Sequence, residues 1–146
     1  MNLLFRRMLA KDKQDVLQMM REFYSSEAVF TNGSDEIFET DYELCVSNNP
    51  LLEGYIIEFD GTVCGYTMIA QSFSTEFGKI CYWLEDLYLK PNFRGKKIIP
   101  QFIEYIKSKK DNAILKLEVE KENSHALHVY KKQGFQECPY CEMIKH

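Results

Sequence analysis

Three stretches of this 146-residue sequence hold residue types that can do chemistry. Trp83-Leu84-Glu85-Asp86-Leu87-Tyr88-Leu89 sets two carboxylates in an apolar run, where a charge is costly to bury without a purpose. The run reads as a strand, so Glu85 and its neighbour Asp86 are expected on opposite faces of a sheet, unable to share one site. Arg94-Gly95-Lys96-Lys97 then leads into a helical pattern opening at Ile98-Ile99. A turn feeding a helix N-terminus offers unpaired backbone N–H groups and a positive dipole end, which suits a pyrophosphate. Arg94, Lys96 and Lys97 add charge there. The third stretch, Asn123 to Phe135, sets Asn123 and Tyr130 at the start and within a helical segment that Gly134 closes.

Other signals carry less. Cys138-Pro139-Tyr140-Cys141 spells the redox tetrapeptide of glutaredoxins, whose first Cys needs a helix N-terminus to lower its pKa. Here only Glu142 to His146 follow, too few for such a helix. Read as a strand, the segment points positions three apart to opposite faces, which also disfavours a zinc pair. His125 and His128 lie three apart without a second pair nearby, so no metal is expected. Arg94-Gly95-Lys96-Lys97 lacks the glycines and Ser/Thr of a Walker loop.

The elements that must position these residues follow from periodicity. Leu3 to Leu9 reads as a strand, and Asp12 as the N-cap of a helix with Val16, Leu17, Met20, Phe23 and Tyr24 on one face. Ser34 caps a second helix with the stripe Ile37, Phe38, Tyr42 and Cys45, ended by Asn48-Asn49-Pro50. Leu51 to Phe59 and Val63 to Phe73 form a hairpin around Asp60-Gly61. Lys79 to Leu89 is the longest strand, and Pro91 to Lys97 a polar turn. Ile98, Ile99, Phe102, Ile103 and Ile106 have helical spacing, with Pro100 tolerable in the first turn. Ala113 to Val119 reads as a strand, Ser124 to Gln133 as a helix, and Phe135 to Ile144 as one or two final strands. Hairpins followed by a βαβ crossover indicate an α/β or α+β domain with a mixed sheet.

Composition agrees with a folded chain: 45% apolar, 27% charged and 14% aromatic, on a length that suits one domain spanning 1–146. No apolar run is long enough to span a membrane, and the arginines follow the first apolar residues, the wrong order for a secretory signal. A cytoplasmic protein with reduced cysteines is expected, Cys45, Cys64 and Cys81 sitting among apolar neighbours. The net charge of −4 conceals an asymmetry: Glu22 to Gly78 holds 11 acidic residues and no Lys or Arg, while the remainder carries +7. An acidic chain argues against a nucleic-acid partner. The split suggests a basic part for an anionic ligand and an acidic part facing a cation.

Taken in order, the three stretches resemble the GNAT superfamily of N-acetyltransferases over roughly residues 79 to 136. The more specific half is Asn123-x-x-Ala126-x-x-x-Tyr130-x-x-x-Gly134-Phe135. The resemblance implies the GNAT fold, a mixed, mostly antiparallel central sheet flanked by about four helices, in one N-acetyltransferase domain. It implies acetyl-CoA as cosubstrate and no metal. The pantetheine arm would run beside the backbone of Leu87, Tyr88 and Leu89, with the phosphates on the turn from Arg94 through Gly95, Lys96, Lys97 and Ile98 to Ile99. Asn123 would contact the cofactor amide. Tyr130 would protonate the leaving thiolate, and a backbone N–H near Leu87 would stabilise the oxyanion.

An alkylamine with a pKa near 10 is only about 0.1% neutral at pH 7, so freeing it costs about 4 kcal/mol unless a base acts locally. Glu85 is the candidate base. The Leu84-Glu85-Asp86 strand, the Arg94-Gly95 turn and Tyr130 are similar to diamine N-acetyltransferases, which implies a small cationic amine as acceptor. In this fold the acidic first half supplies much of the acceptor wall. A homodimer is compatible with the resemblance, though no feature requires one. The sequence departs from the family where Lys97 and Ile99 replace small residues of the phosphate loop, Ile99 adding bulk where the cofactor should lie. That departure motivates the alternative of a non-catalytic acyl-CoA-binding or interaction module.

Overall fold

The computed structural model describes residues 2–146. Among them, β1 (Leu3–Arg7), β2 (Leu52–Phe59), β3 (Thr62–Ser74), β4 (Lys79–Leu89) and β5 (Ile114–Leu117) form one open sheet in chain order. Pairing is antiparallel from β1 to β4 and parallel between β4 and β5. Four α-helices join them: α1 (Lys13–Tyr24), α2 (Asp35–Val46), α3 (Ile98–Lys109) and α4 (Ser124–Lys132). This is the mixed, mostly antiparallel α/β architecture that the sequence implied.

Local chemistry explains the joints. Asp60 and Gly61 both take positive φ, 51° and 81°, as a two-residue hairpin turn of the right hand requires. The Ser34 hydroxyl accepts the Ile37 N–H at 3.2 Å and caps α2. Asp12 occupies the expected N-cap of α1, but its side chain makes no cap bond. Its carboxylate instead accepts two hydrogen bonds from Arg6, at 2.8 and 2.9 Å, and the Leu9 N–H at 2.7 Å. The Arg6 bonds hold the Asp12 carboxyl well below the usual carboxylate range despite burial. Arg6 also donates to Glu58 at 2.5 Å, so one guanidinium ties β1 to β2 and to the start of α1.

The sheet is buried on both faces. On one, α1 and α2 pack Val16, Met19, Met20, Phe38 and Tyr42 against Ile56, Tyr66 and Met68. On the other, α3 packs Phe102, Ile103 and Ile106 against Tyr55, Ile69, Tyr82 and Leu84, with Tyr130 of α4 at the margin.

Two expectations fail. Ile37 of the α2 stripe is 51% exposed. More consequentially, no strand forms from Phe135 to Ile144, and β5 is left as an edge with only four residues. Pro139 lacks the N–H a ladder needs, and Glu137 and Tyr140 are drawn away by Lys131 and Glu76.

Close packing of β3 against β4 depends on Gly65, where an added Cβ would lie 2.3 Å from the Tyr88 carbonyl oxygen and 2.8 Å from Leu89. Backbone cannot yield as a flexible side chain can, so Gly65→Ala should lose about 2 kcal/mol or more of stability. Urea denaturation measures this, and a change below about 0.5 kcal/mol would contradict it.

Candidate active site

The site begins at an irregularity in β4. Met68 pairs with Asp86 and Ile69 with Leu84, so Glu85 is an extra residue without a partner on β3. In a regular strand Leu84 and Asp86 would share a face. Here Leu84 lies in the α3-side core, while Asp86 binds Tyr24 and Tyr66 on the α1 side. This bulge reverses the alternation and corrects the expectation that Glu85 and Asp86 cannot share a site. Both line one cleft of about 970 Å³.

The cleft opens where β4 parts from β5. Their last paired positions are Leu84 and Leu117, and β4 continues to Leu89 without that neighbour. One wall comes from Tyr24 and the loop after α1, together with Asp41; the other comes from Leu117 to Asn123, Tyr130 and Glu142. Leu87 lines the cleft between them. Seven carboxylates border it (Asp41, Glu85, Asp86, Glu118, Glu120, Glu122 and Glu142) against the single cation Lys121.

Each charge has a definite environment. Asp86 is 3% exposed and accepts the Tyr24 hydroxyl at 3.0 Å and the Tyr66 hydroxyl at 2.8 Å. Burial outweighs those two bonds and raises its carboxyl to about 6. Partial desolvation in the cleft raises Glu85, helped by the negative charge of Glu142. The neighbouring Glu142 carboxyl raises that of Glu118 to about 7. Burial also raises the Tyr130 phenol, which keeps its proton at neutral pH.

The turn expected to hold the phosphates is the next element of the site. Gly95 has φ 78° with open space around it, and Lys97 takes the left-handed region at φ 59°. Among the described residues, the N–H groups of Gly95, Lys96 and Lys97 donate to no protein acceptor, as a phosphate site requires. Ile98 is buried, and Ile99 packs into the core clusters beneath the sheet. The bulk of Ile99 therefore lies in the core and leaves the backbone of the turn accessible. These features fit the pyrophosphate that the sequence implied.

Other expected residues divide. Arg94 donates from Nε to the Leu89 carbonyl at 2.9 Å, which pins the turn to the end of β4. The Asn123 carboxamide oxygen caps α4 through the Ala126 N–H at 3.2 Å, leaving its NH₂ for the cleft. Tyr130 lines the cleft and stacks edge-on against Phe135 at 5.8 Å. The Tyr88 side chain turns to α1, where it donates to Glu22 at 2.6 Å, and does not line the cleft. Leu89 is buried in the core beside Ile98. Trp83 lies outside the cleft beneath Lys116, and His125 and His128 are exposed on α4.

Sequence reasoning missed Tyr24, Asp41, Glu118 and Glu142 as neighbours of Glu85. The segment from Glu22 to Gly78 contributes only one carboxylate, Asp41, to the cleft, so the expected origin of its acidic residues is corrected to β4, the segment after β5 and the C-terminal tail. Elsewhere in that segment Asp35, Glu53 and Glu58 pair with Arg21, Arg7, Lys110 and Arg6.

Two outcomes are expected from substitutions. Because Asp86 is raised from 3.8 to about 6, the folded protein holds a proton in that window that the unfolded chain has released. Stability then falls as pH rises through it, and Asp86→Asn should abolish that component. Urea midpoints of both proteins across the window test this; a difference independent of pH would refute it. At Lys97, glycine removes a left-handed strain of about 1 kcal/mol, partly offset by its unfolded-state freedom, whereas a β-branched residue adds strain. Lys97→Gly should match or exceed wild type in thermal stability, with Lys97→Val below both.

The sequence profile of the Acetyltransferase (GNAT) family matches residues 14–135. Comparison with curated proteins by sequence gives no significant match. Among solved structures, the predicted acetyltransferase of Clostridium acetobutylicum, solved with acetyl-CoA, has 21% identity and a TM-score of 0.78, covering 99% of this chain and 96% of that one. A possible acetyltransferase of Clostridium difficile 630 has 19% identity and a TM-score of 0.79, covering 99% and 97%. AAC(6')-Iy, in complex with a CoA-linked bisubstrate analogue, has 16% identity and a TM-score of 0.79, covering 100% and 99%. At such identities the likeness is one of fold.

Proposed function

The chain belongs to the GNAT acetyltransferase family and is an acyltransferase, and from that premise we propose that it acetylates a primary amine of a small cationic acceptor, using acetyl-CoA. The observation that carries this reading is the cleft where β4 leaves β5, with seven carboxylates against one lysine and Tyr130 on its wall. A cationic amine is drawn into such a field, and a polyamine, with several charges, most strongly. Acetyl-CoA supplies a thioester carbonyl open to attack by a neutral amine.

The chain's residues then have distinct work. The Gly95 to Ile99 turn holds the pyrophosphate on its free N–H groups, with Lys96 and Lys97 as counter-charges. The free edge of β4 from Leu87 to Leu89 aligns the pantetheine arm, and the Asn123 carboxamide meets its amide. Glu85, on the bulge, takes the proton from the acceptor ammonium, directly or through water. A backbone N–H near Leu87 stabilises the negative charge developing on the carbonyl oxygen. Tyr130 donates its proton to the departing sulfur. The protein works as one domain in this reading. The non-catalytic alternative loses its steric motive, since Ile99 lies in the core.

Thiol release from acetyl-CoA across a panel of polyamines, diamines and monoamines tests the proposal. Turnover should favour acceptors with two or more charges; none above background with any polyamine would remove that class. Tyr130→Phe should lower kcat by about tenfold or more, and a smaller loss with an unchanged pH profile would remove the acid role. Glu85→Gln should lower kcat and flatten the acidic limb of the pH–rate profile, because Glu85 must be ionised to accept a proton.

A further inference from the structure

Five cysteines are free, and they fall into two sets: Cys45, Cys64 and Cys81 are buried, while Cys138 and Cys141 are exposed. The exposed pair lies in the segment after α4 that forms no strand, with a bend at Pro139 between the two thiols. The opposite-faces objection to pairing positions three apart applies to a strand and does not hold here. A disulfide needs its Cα atoms about 4.4–6.8 Å apart, and three residues folded into a turn supply that.

This pair sits between two anchors. Just before it, Glu137 pairs with Lys131 of α4 at 3.0 Å. Just after it, Glu142 lines the cleft beside Glu118. Between the cysteines, the Tyr140 hydroxyl donates to Glu76 in the β3–β4 loop at 2.7 Å. Drawing Cys138 and Cys141 into a closed turn therefore changes the path from the first anchor to the second. It turns the Tyr140 ring from Glu76 and moves Glu142 relative to Glu118 and Glu85.

We propose that Cys138 and Cys141 are a thiol–disulfide modification site whose closure withdraws Glu142 from the cleft and weakens acceptor binding. The oxidant is a low-molecular-weight disulfide such as oxidised glutathione. One thiolate attacks it, an S–S bond forms to the protein and one glutathione thiolate leaves. The second cysteine, after losing its proton, attacks the mixed disulfide and releases the other glutathione. The protein loses two electrons and two protons, and one glutathione disulfide becomes two glutathiones. A second dithiol reverses the step. The buried cysteines stay outside this chemistry because access limits exchange. The effect on the acceptor rests on the proposed amine specificity; the disulfide itself does not.

The full chain is equilibrated with oxidised glutathione, alkylated without denaturation and weighed intact. Wild type should lose the mass of two hydrogen atoms and keep no adduct, whereas Cys141→Ser should retain one glutathione. A persistent glutathione adduct on wild type, or no change at all, overturns the disulfide. Hydrogen exchange over residues 117–123 then reads the coupling without any acceptor: oxidation should speed exchange there in wild type and leave Cys141→Ser unchanged. With a polyamine acceptor, oxidation should raise the acceptor KM about threefold or more while the KM for acetyl-CoA shifts less than about twofold. Unaltered exchange overturns the link to the cleft. Altered exchange with no polyamine turnover in either state sinks the acceptor reading and leaves the switch standing.

Discussion

Strands β4 and β5 pair at only four positions, and the cleft proposed as the active site lies where they part. A strand that loses its neighbour has backbone N–H and C=O groups that water or a ligand must satisfy. The extra residue Glu85 follows directly on Leu84, the last paired position, so the bulge and the parting coincide. A bulge bends its strand and increases the local twist, which turns the remainder of β4 away from β5. It also reverses the side-chain alternation and brings Asp86 to the face where Tyr24 and Tyr66 wait. One inserted residue thus opens the cleft, frees the edge and doubles the carboxylates at its centre.

Two buried aspartates show how differently the fold treats charge. Asp12 is met by Arg6, a fixed cation, and stays ionised. Asp86 is equally buried but is met by two phenols, which donate hydrogen bonds without neutralising charge. A buried carboxylate without a counter-ion is costly, and its proton affinity rises. Its electrostatic need is unmet by the protein and is of the sign a cationic acceptor would satisfy. At the opposite wall the Glu142 carboxyl likewise raises the proton affinity of Glu118.

Elements with strong local signals were legible in the sequence. The Asp60-Gly61 turn, the Ser34 cap and the helical spacing from Ile98 to Ile106 each rest on contacts within a few residues, and each forms as read. Glu85, Tyr130, Asn123 and the Gly95 turn also meet along the cleft and the free end of β4, because their order along the chain follows the βαβ crossover. What was illegible depends on register. Nothing local announces that Glu85 is unpaired, since Trp83 to Leu89 alternates acceptably either way. The position of Asp86 is decided by β3, and the path of the tail that carries Glu142 by the contacts of Tyr140 with Glu76 and of Glu137 with Lys131, far off in sequence or on another element. Net charge misled for a similar reason: most carboxylates of the acidic segment lie outside the cleft, and several are matched by arginines and lysines across the sheet edges.

The two walls of the cleft differ in how firmly they are held. Tyr66 is fully buried and Asp86 nearly so, in a core continuous with α1, so the wall carrying them can shift only by repacking the domain interior. On the opposite side, α4 has no fully buried residue, and the segment beyond it, from Glu137 onward, is exposed and held by single polar contacts. Local opening free energy follows such contact density, so this wall belongs to the low-stability end of the structure. Had Phe135 to Ile144 closed the edge of β5 as a ladder, both walls would be rigid. The missing strand instead leaves a fixed side, where Glu85 and Asp86 stand, facing an adjustable one that ends in Glu142. In a cleft built this way, changes in the tail alone would alter the proposed acceptor site without disturbing the bulge on which the proposed chemistry rests.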